Sequence, residues 1–234
     1  MEPGPRLAAG RDADIFEYGP GLVLRRSRAG RSLTEEARVM EYVRSQGYPV
    51  PAVEEMSDDG LDMVMQRIEG TDMVATMSKR PWTIARQGRT LADLHRRLHE
   101  LIAPAWLPDA PVGRGDRVLH LDLHPLNVIM GPEGPVVIDW TGACRGNPAD
   151  DVALAWVLMV AGEVPTGRVL GTILGRARSV LVNNFVRSFD VEADAVKQRL
   201  AEVVAWKTLD PHMSAREQDQ MRQVVKAFGR ETPA

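Results

Sequence analysis

The stretch His120-Leu121-Asp122-Leu123-His124-Pro125-Leu126-Asn127, resumed at Val136-Val137-Ile138-Asp139-Trp140, decides how this chain is read. The apolar runs Val118 to Leu123 and Val136 to Ile138 read as two short strands. Asn127 falls in a turn after Pro125, and Asp139 ends the second strand. Taken singly, each residue has an ordinary explanation. An Asp at a strand end is usually a turn or cap residue, and an Asn after Pro usually serves a turn. The joint pattern is far more specific: His-x-Asp-x-x-x-x-Asn, a short hairpin, then hydrophobic-Asp-Trp.

Two carboxylates and an amide at this spacing suit phosphoryl transfer to a hydroxyl. That chemistry needs one carboxylate to orient the acceptor and take its proton. It also needs two oxygen ligands to hold Mg²⁺ against the phosphates of a nucleotide. Asp122 fits the first role, and Asn127 and Asp139 fit the other two.

Upstream of this segment the chain reads as β-rich. Ile15 to Tyr18 and Leu22 to Arg26 are predicted strands joined by Gly19-Pro20-Gly21. Ser32-Leu33-Thr34-Glu35 has the pattern of a capping box. Ala37, Met40 and Val43 then repeat with helical spacing until Gly47. Val50 to Val53 and Leu61 to Ile68 read as further strands across the turn Ser57-Asp58-Asp59-Gly60. Beyond Gly70 the pattern becomes helical. Leu91, Leu94, Leu98 and Leu101 share one face of a helix over 84–101. From Pro148 onward helices are expected over about 149–161, 166–188, 192–207 and 214–229. A β-rich lobe of residues 1–68 followed by a helical lobe of 69–234 implies a cleft, and ligands favour such interfaces.

Composition narrows the function classes. The chain has 234 residues, 44% hydrophobic and 26% charged, enough apolar material for a folded core. Its 29 basic and 32 acidic side chains leave a net charge of −3, which argues against nucleic acid as the partner. Arg25, Arg26, Arg28 and Arg31 form a local cluster, most of it best read as a solvated strand-and-turn region. The single cysteine, Cys144, rules out an intrachain disulfide and suits a reducing compartment. The first residues lack the apolar core of a signal peptide, and the longest apolar run, Val152 to Ala161, is too short to span a bilayer. A cytoplasmic protein, monomeric or homodimeric, is the expectation.

The segment from Leu119 to Ile129 resembles the catalytic loop of the aminoglycoside phosphotransferase and choline kinase group, relatives of protein kinases. Val137 to Trp140 resembles that group's metal-binding segment, with Trp where protein kinases have Phe-Gly. The resemblance runs from about residue 10 to about residue 160. It implies an α+β, two-lobed protein-kinase-like fold with a small β-rich first lobe. It also implies a kinase that moves the γ-phosphoryl group of ATP or GTP, with Mg²⁺, to a hydroxyl of a small molecule such as an aminoglycoside, a sugar or an amino alcohol.

Residue by residue, Asp122 matches the catalytic base, and Asn127 and Asp139 the Mg²⁺ ligands. His120 matches the histidine that braces the loop, and His124 a loop position with either a substrate contact or a packing role. Asp151 matches an aspartate that opens a buried helix and supports the loop; Asp150 is its weaker neighbour, and both also suit a helix N-terminus. Glu36 matches the helix glutamate that orients a phosphate-binding basic residue. That basic residue is usually Lys, but Arg25 stands here; Arg binds phosphate bidentately yet is longer and differently shaped. If strand alternation holds, Arg25 and Arg26 face opposite ways. Gly10 to Phe16 has no G-x-G-x-x-G. Met65 to Gly70 resembles the hinge, where backbone groups of Gln66, Arg67 and Ile68 would meet the nucleotide base.

Other readings rank lower. His120-x-Asp122-x-His124 on a strand would place three metal ligands on one face, but no second cluster supplies an independent half-site. His95 and His99 lie one helical turn apart without the Glu of a zinc hydrolase, so a solvated helix face is the better reading of the pair. A kinase-like protein that binds nucleotide or a partner without transferring phosphate is the alternative, motivated by Arg25 and the poor glycine loop. The acceptor is expected against residues of roughly 160–234. Acidic side chains there include Asp190, Glu192, Asp194, Glu202, Asp210, Glu217 and Asp219. Most of these read as outer helix faces, and Trp156 and Trp206 as buried helix contacts more than substrate walls.

Overall fold

The computed structural model describes residues 1–10, 12–28, 30–161, 168–189, 193–210 and 213–228, and of 168–174, 193 and 228 the backbone alone. Asp190, Glu192 and the expected helix edges at 166–167, 192 and 229 lie outside the described residues. In chain order the first elements are β1 (Arg6–Ala9), β2 (Ala13–Glu17), β3 (Leu22–Ser27), α1 (Thr34–Ser45), β4 (Val53–Met56), β5 (Asp62–Gln66) and β6 (Thr71–Asp72). There follow α2 (Met73–Lys79), α3 (Ile84–His99), β7 (Arg117–Leu119), β8 (Val128–Gly131), β9 (Gly134–Val137) and β10 (Cys144–Gly146). The chain then runs through α4 (Pro148–Ala161), α5 (Arg168–Arg187), α6 (Ala193–Lys207) and α7 (Ala215–Phe228).

Two compact units result, one of Met1–Asp72 with Asn127–Ala143 and one of Met73–Leu126 with Cys144–Ala234. The expected single cut after residue 68 differs from this division. Residues 127–143 return to the first unit because β8 pairs with β6 and β9.

The first unit holds a five-stranded antiparallel sheet in the order β1-β2-β3-β5-β4. Leu24 on β3 lies opposite Phe16 on β2 and Val64 on β5. Leu24, Met63 and Val64 are buried, so this central register is pinned by apolar packing. The α1 helix buries Ala37, Val39, Met40 and Val43. Its start differs from the expected capping box: Leu33 occupies the cap with no side-chain cap bond. Leu33 is buried and its N–H donates to Gly60 O at 2.8 Å, while the Ser32 hydroxyl accepts the Thr34 N–H at 3.2 Å in place of the expected box. The strands expected at 50–53 and 61–68 appear as Val53–Met56 and Asp62–Gln66, while β1, β6, α2 and β10 were not anticipated.

The second unit is mostly helical. Leu91, Leu94 and Leu98 on α3 are fully buried, each worth about 1.5–3 kcal/mol. Gly88 lets α3 approach α5 closely, since a Cβ there would lie 2.5 Å from Leu181 O. The α4 helix packs against α5, α6 and α7 and buries Val152 through Val157 without a break. A helix apolar on all sides belongs at the centre of a unit. Trp156 is buried there, as expected. The short β7 pairs antiparallel with β10. The strand expected over 118–123 ends at Leu119, because Leu121 adopts φ +56°. That conformation breaks the alternation on which a metal reading of His120, Asp122 and His124 relied. No group of three or more His, Cys, Asp or Glu among the described residues is placed to hold a metal ion. No described helix is long and apolar enough to cross a membrane.

Candidate active site

Within the first unit, the alternation of β3 sends its two arginines to different partners. Arg26 clamps Asp62 with bonds of 2.6 and 2.7 Å. Arg28, similarly, bonds both oxygens of Asp14. The expected solvated arginine cluster is therefore largely ion-paired.

Arg25 points to a different set. Its Nη2 lies 3.2 Å from Glu36 Oε2, 3.0 Å from Asp139 Oδ1 and 3.1 Å from Thr141 Oγ1. Glu36, from α1, is buried, and its Oε1 accepts the Trp140 N–H at 3.3 Å. Burial pushes the Glu36 carboxyl above its ordinary pKa, Arg25 opposes that, and Asp139 adds to it. The structure thus joins three of the residues singled out in the sequence, Arg25, Glu36 and Asp139, with one that was not, Thr141.

The Asp139 backbone sits at φ +65°, a region L-residues seldom adopt and one often found at functional sites. Two neighbours hold it. Trp140 is buried, donates its indole N–H to Val137 O at 3.2 Å and meets the Tyr48 ring edge-on at 5.6 Å. Ile138 N–H donates to Asn127 O at 3.0 Å, tying the Asn127 turn to the segment carrying Asp139. The Asn127 side chain is itself nearly buried. Asp139 offers a carboxylate that is 38% exposed. A carboxylate and an amide are the hard oxygen donors that Mg²⁺ takes.

The expected hinge residues lie at the end of β5, Gln66, and just beyond it, Arg67 and Ile68. The Gln66 side-chain oxygen accepts the Ala52 N–H at 3.3 Å, and Arg67 pairs with Glu17 at 3.1 Å and Glu69 at 3.3 Å. Ile68 packs beside Gly131. The turn between β1 and β2 closes through Gly10 N–H to Ala13 O at 2.9 Å.

In the second unit, His120 and Asp122 follow β7. His120 is fully buried, while the Asp122 carboxylate is 38% exposed. His124 Nε2 stands 3.6 Å from Asp122 Oδ1, and its Nδ1 accepts the Leu126 N–H at 3.3 Å. A ring whose Nδ1 accepts carries its proton on Nε2, on the side of Asp122.

Asp151 carries the loop. It is buried, and its oxygens accept the Leu121 N–H at 2.8 Å, the His120 N–H at 3.2 Å and His99 Nε2–H at 2.9 Å. Burial alone would raise its pKa. The bond from His99 and the charge of the nearby imidazoles outweigh burial and hold it well below the usual carboxylate range. Asp150 faces another way. Arg199 Nε bonds it at 2.5 Å, yet burial still leaves its carboxyl above the ordinary value. His95 and His99 were expected on a solvated helix face. Both histidines of that pair depart from the expectation: His95 is fully buried and His99, one turn on, is nearly buried. Its tertiary partner left no mark in the local pattern.

The phosphotransferase enzyme family model designated APH matches residues 5–114 and 99–178. Solved structures agree on the fold. A choline/ethanolamine kinase family protein from Mesorhizobium loti is 17% identical over 98% of this chain and 89% of its own, with a TM-score of 0.59. An aminoglycoside-3'-phosphotransferase of type VIII is 19% identical over 97% and 92%, with a TM-score of 0.57. A thermostable mutant of aminoglycoside phosphotransferase APH(4)-Ia, solved with AMP-PNP and hygromycin B, is 14% identical over 97% and 94%, with a TM-score of 0.57. No curated protein matches the sequence. The fold is the α+β kinase-like one that the sequence implied, with a β-sheet first lobe and a helical second. With the family pattern matched from residue 5 to 178, the chain belongs to the APH phosphotransferase enzyme family.

Proposed function

We propose that this protein transfers the γ-phosphoryl group of ATP or GTP to a hydroxyl of a small molecule. Residues 1–68 would form the nucleotide-binding lobe and residues 69–234 the catalytic and acceptor-binding lobe, except that residues 127–143, with Asn127 and Asp139, fold with the nucleotide-binding side. The observation that carries the reading is the Arg25–Glu36–Asp139 set, joined by contacts of 3.0 and 3.2 Å. A decayed binding protein has no physical need to hold a buried glutamate, a strand arginine and a strained aspartate together. The contact also supports Arg25 in the place usually held by lysine.

In this mechanism Arg25, oriented by Glu36, faces the phosphates, and backbone groups of Gln66, Arg67 and Ile68 meet the base. Asn127 and Asp139 would hold Mg²⁺, which when bound offsets charge on the phosphates. Asp122 orients the acceptor hydroxyl and takes its proton as that oxygen bonds to the γ-phosphorus. The bond to the β–γ bridging oxygen breaks, and the nucleoside diphosphate leaves. His120 and Asp151 keep the Asp122 loop in shape. Similar structures bind hygromycin B or gentamicin; aminoglycosides, sugars and amino alcohols are the acceptor classes to screen.

The test is a thermal-shift titration with Mg²⁺–ATP and Mg²⁺–GTP on wild type and Asp139→Ala. A ligand specific to the native state raises the melting temperature. A metal-dependent rise in wild type that Asp139→Ala loses is expected. With an acceptor in hand, Asp122→Asn keeps nucleotide binding and loses transfer. No rise with either nucleotide at millimolar concentration turns the reading toward the partner-binding alternative.

A further inference from the structure

Thr141 stands at the centre of the charged set without having been assigned a role. Its Oγ1 lies 3.0 Å from Asp139 Oδ1, 3.2 Å from Glu36 Oε2 and 3.1 Å from Arg25 Nη2. A hydroxyl has one hydrogen to give and two lone pairs to receive with. Both carboxylate oxygens are acceptors when ionised, so the hydroxyl donates to one of them at a time. It accepts from Arg25 in either case.

The Arg25 side needs the same count. Nη2 carries two hydrogens and has three acceptors within 3.2 Å: Asp139 Oδ1, Thr141 Oγ1 and Glu36 Oε2. Without Thr141 those two hydrogens would be divided between the two carboxylates alone. The guanidinium would then be drawn more firmly onto Asp139, the residue proposed to receive a metal ion. With Thr141 present, Arg25 can give one hydrogen to the hydroxyl and one to Glu36, leaving Asp139 lone pairs available. The hydroxyl can follow by turning its own hydrogen to Glu36, and no polar atom of Thr141 or Arg25 Nη2 loses a partner in the change.

We infer that Thr141 is a positioning residue, a hydroxyl rotor between Asp139 and Glu36 that lets Arg25 release Asp139 when Mg²⁺ and nucleotide bind. The assignment rests on the phosphotransferase reading above. It accounts for how a guanidinium, with more donors than an ammonium, can stand next to a metal-binding carboxylate without capturing it.

The experiment titrates Mg²⁺ at fixed ATP and follows the melting temperature of wild type, Thr141→Val and Thr141→Ser. Valine keeps the shape and deletes the hydroxyl; serine keeps the hydroxyl. The Mg²⁺ midpoint is expected to rise about tenfold in Thr141→Val, the size of one hydrogen bond to a charged group. In Thr141→Ser it stays within about twofold of wild type by the same reasoning. Melting temperatures without ligand separate a folding defect from the metal effect, and Thr141→Ala replaces the valine variant if that one does not fold. A Val variant with the wild-type midpoint overturns the assignment, as does a Ser variant as weak as Val. If wild type shows no Mg²⁺-dependent shift, the phosphotransferase reading falls first and this assignment with it.

Discussion

His95 should make the protein lose stability in mild acid, by an amount the structure allows to be worked out. The ring is fully buried on α3, and its Nδ1 donates to Leu91 O at 2.9 Å. Nε2 is buried with no hydrogen-bond partner among the described residues. The rings of Phe185 and His99 lie edge-on at 5.2 and 5.8 Å. A second proton would have to be carried on Nε2 with nothing to accept it. Burial therefore pulls the pKa down from 6.5 to about 4, against the pull of Asp151 in the other direction. In the unfolded chain the group titrates near 6.5, so that state gains a proton as pH falls through 6.5 while the folded state does not until near 4. The stabilisation is whole above pH 6.5 and drains away toward pH 4, at about 1.4 kcal/mol per pH unit and about 3 kcal/mol in all. The perturbation is His95→Phe, which keeps a ring among rings and cannot titrate. Glu36 and Asp150, whose pKa values are raised, contribute an opposite slope, but both proteins share it. The assay is urea unfolding of wild type and variant at pH 7.5, 6.5, 5.5 and 4.5. The variant is expected to gain on wild type by about 1.4 kcal/mol for each unit below 6.5. A stability difference that stays constant across this range would refute the argument.

Two further outcomes follow from the same unit. Asp151→Asn should cost about 2–4 kcal/mol near neutral pH, because the amide hydrogens face donors that the carboxylate had satisfied. Since the folded pKa is depressed, this loss is present above the unfolded value near 4 and shrinks as pH falls below it, which unfolding curves at pH 7 and pH 3 will show. Gly113→Ala should destabilise by about 2–4 kcal/mol, read as a lower denaturation midpoint. Gly113 has φ +68°, and a Cβ there would lie 2.0 Å from Asp150 Oδ2, a buried carboxylate held by Arg199.

Much of the fold was legible because it is written in local patterns. The alternation in β3, the leucine spacing of α3 and the unbroken apolar run of α4 follow from which faces must be buried. The ends of elements were harder to read. A capping box at Ser32 was a sound local expectation, but Leu33 takes the cap position and is buried. The strand over 118–123 stopped early because the loop needs Leu121 at positive φ, a demand made by Asp151 thirty residues later.

The sequence by itself determined the family, through the spacing of His120, Asp122, Asn127 and Asp139, since chemistry constrains which residue types can stand at those separations. It also marked Arg25 as an unusual basic residue on its strand. Only the tertiary structure decided what Arg25 touches, because Glu36, Asp139 and Thr141 lie 11, 114 and 116 residues away along the chain. The same holds for His99, whose polar partner is Asp151, 52 residues on. Hydrophobic periodicity reports burial of a face, and it carries no information on which buried polar groups will meet. That pairing is fixed when the helices and strands pack, since a buried donor or acceptor left alone costs more than local preference can recover.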